Sequence, residues 1–122
     1  MTYIPLDKLK IYQLSVRYGQ EAWIKYELLD WHFKKIIGDQ FIRSVDSVGA
    51  NIAEGYGRYH YLDKIKFYYN SRGSLFESKH WLDRLLERKM IARDNYLFMV
   101  DFYKNIQLGL NGLINSTYKN KN

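Results

Sequence analysis

The chain contains no cysteine and a single proline. Without cysteine there is no disulfide framework, no thiolate metal site, no cysteine nucleophile and no thiol redox chemistry, and a reducing compartment is compatible. Pro5 stands before the first long pattern, where a fixed φ and a missing N–H do no harm to a helix start. Nothing downstream of it forbids long helices. No stretch approaches the roughly 18 uninterrupted apolar residues that a membrane span requires. The opening MTYIPLDKLK has no apolar run behind its charges, so a cytoplasmic protein without a membrane partner is expected. The period-two alternation of a half-buried strand is also missing.

What is present is helical periodicity over 122 residues, a length suited to one domain with its own core. The expected fold is all-α: a single antiparallel four-helix bundle, up-down-up-down, spanning 1–122. Leu9, Tyr12, Val16, Gly19, Trp23, Tyr26, Phe33 and Ile37 form a stripe interrupted at Asp30, predicting a first helix over about 7–36. Gly38 reads as its left-handed cap and Asp39 as the next N-cap. The stripe Phe41, Val45, Val48, Ile52 places the second helix at about 39–56, and a third follows over about 62–89 with Gly73-Ser74 at its middle. A glycine there costs about 1 kcal/mol relative to alanine, which suggests close approach by another helix. Asp94 reads as the cap of a fourth helix over about 94–118, striped by Tyr96, Met99, Tyr103, Ile106 and Leu110.

The stretch SVGANIAEGYGR, Ser47 to Arg58, raises the question of a ligand cradle. Gly55-Tyr56-Gly57 begins like a dinucleotide fingerprint, but His60 stands where the third glycine is needed and no strand precedes it. No Gly-Lys-Ser/Thr sequence exists for a phosphate loop. The glycines are better explained as the end of helix two, in left-handed conformations, and Ser44, Ser47, Gly49, Ala50 and Ala53 as a seam facing Gly73-Ser74. Asn51, Glu54, Arg58, Arg72 and Glu77 would form a polar layer there, with Arg72 pairing Glu54 across helices. The same charges as an open catalytic pocket are a less favoured reading. Glu77-x-x-His80 has di-iron spacing but occurs in one copy, and no nucleophile elbow is recognisable. No metal, no cofactor and no catalysis are expected.

The net charge of +6 favours polyanionic or acidic partners. Its densest cluster is Arg84, Arg88, Lys89 and Arg93, although Asp83 and Glu87 alongside also fit a solvated face laced with ion pairs. Twelve tyrosines and three tryptophans are many for a small bundle. Tyr56, Tyr59, His60 and Tyr61 gather beside Arg58 and Lys64. Rings interleaved with cations suit unpaired bases, and equally a protein interface. Arg43, Lys64, Arg84, Arg88, Lys89 and Arg93 are the candidate phosphate contacts, and Tyr59 or Tyr61 the candidate stacking residues.

Around the Asn51-Ile52-Ala53-Glu54-Gly55 core the sequence resembles the bundle proteins encoded by intervening sequences of bacterial 23S rRNA genes. Gln40-Phe41-Ile42-Arg43, Lys66-Phe67, Arg72-Gly73-Ser74-Leu75-x-Glu77 and Leu110-Asn111-Gly112 continue the likeness in order. The resemblance implies a four-helix bundle that assembles as a homo-oligomer into a closed pentameric ring, in a family without an agreed biochemical activity. A related protein, the accessory protein of diversity-generating retroelements, works with a reverse transcriptase and binds nucleic acid on a basic ring surface. The implied role is a non-catalytic ring that binds RNA or another nucleic acid. The alternative is an adaptor that recruits a protein partner through exposed aromatics.

Overall fold

The computed structural model describes residues 3–121. A 3-10 turn, Leu6–Lys8, leads into α1, Lys10–Glu27. A helical segment Trp31–Phe33 passes through π-helical turns at Lys34–Gly38 into Asp39–Tyr56, and the three together form α2. Helix α3 is Tyr61–Glu87 and α4 is Arg93–Lys119. Among the described residues there is no strand. Each helix packs on the next, α4 closes back on α1, and the α2–α3 contact is the most extensive. This is the expected all-α antiparallel four-helix bundle.

The apolar stripes supply the core. Phe41, Val45, Val48 and Ile52 of α2 are fully buried, as are Leu75 and Leu82 of α3 and Met99, Ile106 and Leu110 of α4. Three-four spacing puts each set on one face of its helix. Each such side chain contributes about 1.5–3 kcal/mol on burial.

Four local expectations are corrected. The first helix does not run from 7 to 36; it ends at Glu27, and Leu28–Asp30 form the turn. Asp30, the residue that interrupts the stripe, is the N-cap of α2, its Oδ1 accepting from the Phe33 N–H at 2.8 Å. Gly38 is not a left-handed cap: it is buried in right-handed helix at φ −52°. A Cβ there would lie 2.9 Å from Leu29 Cδ1, so the glycine lets α2 press on the end of α1. Asp39 lies inside α2 and accepts from Tyr26 Oη at 2.6 Å instead of capping.

The second correction concerns the glycines of the motif. Gly55 lies within α2, and Gly57 follows it at φ −78°; neither is left-handed. The turn to α3 is completed by His60, whose Nδ1 accepts from the Leu62 N–H at 3.2 Å. Third, Gly73 has no atom within 4 Å of where a Cβ would stand, so it marks no close approach. Gly55 does. Its Cβ would meet the Tyr68 ring at 2.7 Å and the Lys64 carbonyl oxygen at 3.0 Å. The small-residue seam therefore joins α2 to α3 through Gly55, and through Ser71 Oγ, which donates to the Val48 carbonyl at 2.8 Å. Fourth, Ala92 rather than Asp94 occupies the N-cap of α4, leaving Asp94 in the first turn, where a carboxylate suits the helix dipole.

Candidate nucleic-acid interface

The residues expected to contact nucleic acid lie at opposite ends of the bundle. Between Tyr61 and Glu87, α3 rises roughly 40 Å. Arg84, Arg88, Lys89 and Arg93 surround the α3–α4 turn, whereas Tyr59, Tyr61 and Lys64 surround the α2–α3 turn. Arg43 is exposed on the flank of α2, close enough to the Tyr26–Asp39 pair for its charge to act on Tyr26. They do not form one continuous surface.

At the α3–α4 turn the cations differ in availability. The half-buried Arg84 is held by its own helix, with Nε 3.5 Å from Glu87 and Nη1 3.3 Å from His80 Nδ1. Arg88, Lys89 and Arg93 are exposed and take no part in the ion pairs among the described residues. The Met90 N–H donates to the Leu85 carbonyl at 2.8 Å and the Lys89 N–H to that of Leu86 at 3.0 Å. This is a Schellman closure with Lys89 at its left-handed position, φ 58°, the only non-glycine described with a positive φ. Glycine is the usual occupant. Lysine here projects a charge from the apex of the turn at a conformational cost of about 1–2 kcal/mol.

At the α2–α3 turn, Tyr59 is 85% exposed. The Tyr61 ring stacks on His60 with centroids 5.2 Å apart. Lys64 is half-buried, donates to the Tyr56 carbonyl at 3.0 Å, and lies 5.4 Å from the Tyr56 ring centroid. Burial lowers its pKa.

The motif charges do not assemble as expected. Glu54 pairs with Arg58 one turn on, at 2.7 Å, both about half-exposed. Arg72 turns toward α4 instead, lying 4.8 Å from the Tyr69 ring centroid and 3.4 Å from Asn111 Oδ1. Glu77 accepts from Trp81 Nε1 at 3.2 Å. The Arg72–Glu54 pair is absent because each side chain meets a nearer partner, and Glu54, Arg72 and Glu77 share no pocket. Asn51 donates to the Ser47 carbonyl at 2.9 Å within α2, and Ser74 is half-buried on α3. Among the described residues no three His, Asp or Glu gather as a metal set. Among the described residues no helix is long and apolar enough to cross a membrane.

Two surface features escape sequence reasoning. A groove of about 650 Å³ runs between α1 and α2, with Trp23 and Ile24 each 51% exposed. Asp46 is exposed on its edge with no hydrogen bond or ion pair among the described residues, and partial desolvation against α1 pushes its carboxyl above the ordinary range. Gly19 gives that carboxylate room, since a Cβ there would stand 2.9 Å from Asp46 Oδ1. The second feature is an aromatic pocket beside Lys64. The sequence gathers Tyr56, Tyr61 and Lys64 at this turn, but not Tyr68, Ser116 and Thr117, which only the fold brings beside them.

A four-helix bundle with basic residues at one turn and an aromatic pocket at the far end is thus the class of molecule defined. The chain belongs to the family described as 23S rRNA-intervening sequence protein, whose model matches residues 7–112. A crystal structure of a protein of unknown function from the S23 ribosomal protein family of Bacteroides thetaiotaomicron VPI-5482 is similar to it. That likeness has a TM-score of 0.80 at 23% identity and covers 85% of this chain and 97% of that one, a likeness of fold. No curated protein matches.

Proposed function

We propose that this protein is a non-catalytic, ring-forming scaffold that binds single-stranded or looped RNA through the α3–α4 turn. The observation that carries the reading is Lys89. Arg88, Lys89 and Arg93 stand without carboxylate partners among the described residues, and Lys89 holds a backbone conformation that glycine would adopt at lower cost. Strain retained on an exposed turn is a mark of function. In a ring whose axis follows the helices, the turns of successive copies lie side by side on one rim and their positive potentials add.

Ring assembly is supported by the α1–α2 groove, whose exposed Trp23 and Ile24 and unpaired Asp46 suit an apolar surface carrying one basic side chain. Aromatic anchors of this kind dominate interfaces. The same groove favours a second reading, an adaptor that seats a different protein.

Filter binding of single-stranded RNA across salt concentrations tests the first reading. Each cation removed by Arg88→Ala, Lys89→Ala or Arg93→Ala should flatten the log–log salt slope by about 0.7 per copy engaged. A wild-type slope near zero would reject it. Salt-insensitive capture of a protein that Trp23→Glu abolishes would favour the adaptor.

A further inference from the structure

At the end of the bundle opposite the basic turn, α2, α3, α4 and the N-terminal segment line an open pocket of about 380 Å³, in the range of small-ligand sites. Its rings include Tyr56, Tyr61 and Tyr68, and its polar groups include Lys64, Ser116 and Thr117. The hydroxyl of Tyr56 donates to the Ile4 carbonyl and draws the N-terminal segment up as one wall. Gly55 admits the Tyr68 ring and the Lys64 backbone against α2, so the last residue of the Asn-Ile-Ala-Glu-Gly run is what shapes the floor.

Two of these groups have hydrogen-bonding capacity left over at the pocket. Tyr68 is 1% exposed as a residue, but its hydroxyl is the part left accessible, and it makes no hydrogen bond within the described residues. That hydroxyl is therefore available to a ligand in the pocket. The Lys64 ammonium gives one of its three protons to the Tyr56 carbonyl and has no carboxylate within ion-pair distance among the described residues. Partial burial lowers its pKa, in keeping with a cation drawn out of water. Ser116 and Thr117 both donate to the Leu113 carbonyl, at 3.1 and 2.7 Å, which leaves their oxygens free to accept.

An anion for Lys64, a donor for the serine and threonine oxygens, and a planar ring for the tyrosines are the parts of one ligand class. We infer that this pocket binds a single nucleotide, with its phosphate on Lys64 and Tyr68, its base against the tyrosine rings and its ribose hydroxyls donating to Ser116 or Thr117. The inference goes beyond the basic turn, from which the pocket lies a helix length away. The nucleotide is either free or the phosphorylated end of a strand.

The test is an NMR titration of the full chain with adenosine 5′-monophosphate, adenosine and inorganic phosphate, and with an RNA hexamer bearing a 5′-phosphate or a 5′-hydroxyl. The monophosphate should shift the amides of Leu113 to Thr117 saturably at millimolar concentration or below. Adenosine and phosphate alone should bind at least roughly tenfold more weakly, the factor expected for losing one charged hydrogen bond. Lys64→Gln should weaken the monophosphate about as much, and Tyr68→Phe, which deletes one oxygen, by a smaller factor. Tighter binding of the 5′-phosphorylated hexamer than of the monophosphate, lost in Lys64→Gln, assigns the strand end; no such preference assigns the free nucleotide. Absence of pocket shifts, or unchanged affinity in a folded Tyr68→Phe protein, overturns the inference. Salt-dependent filter binding of longer RNA reports separately on the basic turn, so the pocket can fail while that reading stands, and the reverse.

Discussion

Tyr18 of α1 donates its phenolic proton to Ser78 of α3 across the middle of the bundle, at 2.8 Å. The direction follows from Ser78, whose own proton goes to the Leu75 carbonyl at 2.6 Å. Both side chains are fully buried, and desolvation raises the Tyr18 pKa far beyond the ordinary phenol range. Removing the acceptor leaves a buried hydroxyl unpaired, whereas removing the donor leaves Ser78 its bond to Leu75. Ser78→Ala should therefore cost about 1–3 kcal/mol and Tyr18→Phe only about 0.5–1.5 kcal/mol. Urea denaturation of the two variants checks the order.

Gly55, at the end of α2, and Gly73, in the middle of α3, are both helical glycines but should answer a methyl group with opposite signs. Gly55→Ala drives a Cβ into the Tyr68 ring and the Lys64 carbonyl oxygen, and should cost about 1–3 kcal/mol. Gly73→Ala meets open space on an exposed helix face and should stabilise by about 0.5–1 kcal/mol. Thermal melts of both variants would decide the matter.

That contrast shows where the sequence was legible and where it was not. Three-four stripes identified Phe41–Ile52 and Tyr96–Leu110 as core faces because burial of one face is a local, periodic property. The first turn was misplaced because Gly38 and Asp39 imitate a stop and start, while the working cap, Asp30, appeared only as a flaw in the stripe. What Gly38 accommodates is Leu29 and Tyr26, contacts that exist only after the chain has turned back. The candidate site followed the same division: the basic cluster of 84–93 is contiguous and visible, but the pocket joins Tyr68 to Ser116 and Thr117 through topology alone.

Lys89→Gly should raise stability by about 0.5–1 kcal/mol, since glycine takes the left-handed position of the Schellman turn without a Cβ penalty. It should also weaken RNA binding and flatten its salt slope. A rise in Tm with unaltered RNA affinity would separate Lys89 from the proposed interface.

Asp83 gives the fold an acid sensitivity of defined sign. Burial favours its neutral form, but hydrogen bonds from Tyr96 Oη at 2.6 Å and Lys79 Nζ at 2.9 and 3.0 Å, with the Lys79 charge, outweigh that and hold its carboxyl below the ordinary range. A depressed folded pKa contributes stability that is present above the unfolded value near 3.9 and lost as pH falls through the folded one. Wild type should therefore exceed Asp83→Asn in Tm at neutral pH, and the difference should shrink below about pH 4. Parallel melts at several pH values would show this convergence.

Asp46 has the opposite sign, and this offers a test of the proposed assembly. Its folded pKa is raised by burial, so the contribution of its proton is present below the unfolded pKa and lost as pH rises through the folded one. Asp46 is exposed, so solvent screening keeps this penalty on the carboxylate small in an isolated chain at neutral pH. Trp23→Glu, which puts a charge on the exposed groove, should yield monomers by light scattering, and in that background Asp46→Asn should raise Tm. In the otherwise wild-type chain the same Asp46→Asn change should weaken association, because the basic side chain proposed to enter the groove loses its partner. An Asp46→Asn protein that is more stable and equally associated would show that the groove is not where copies meet.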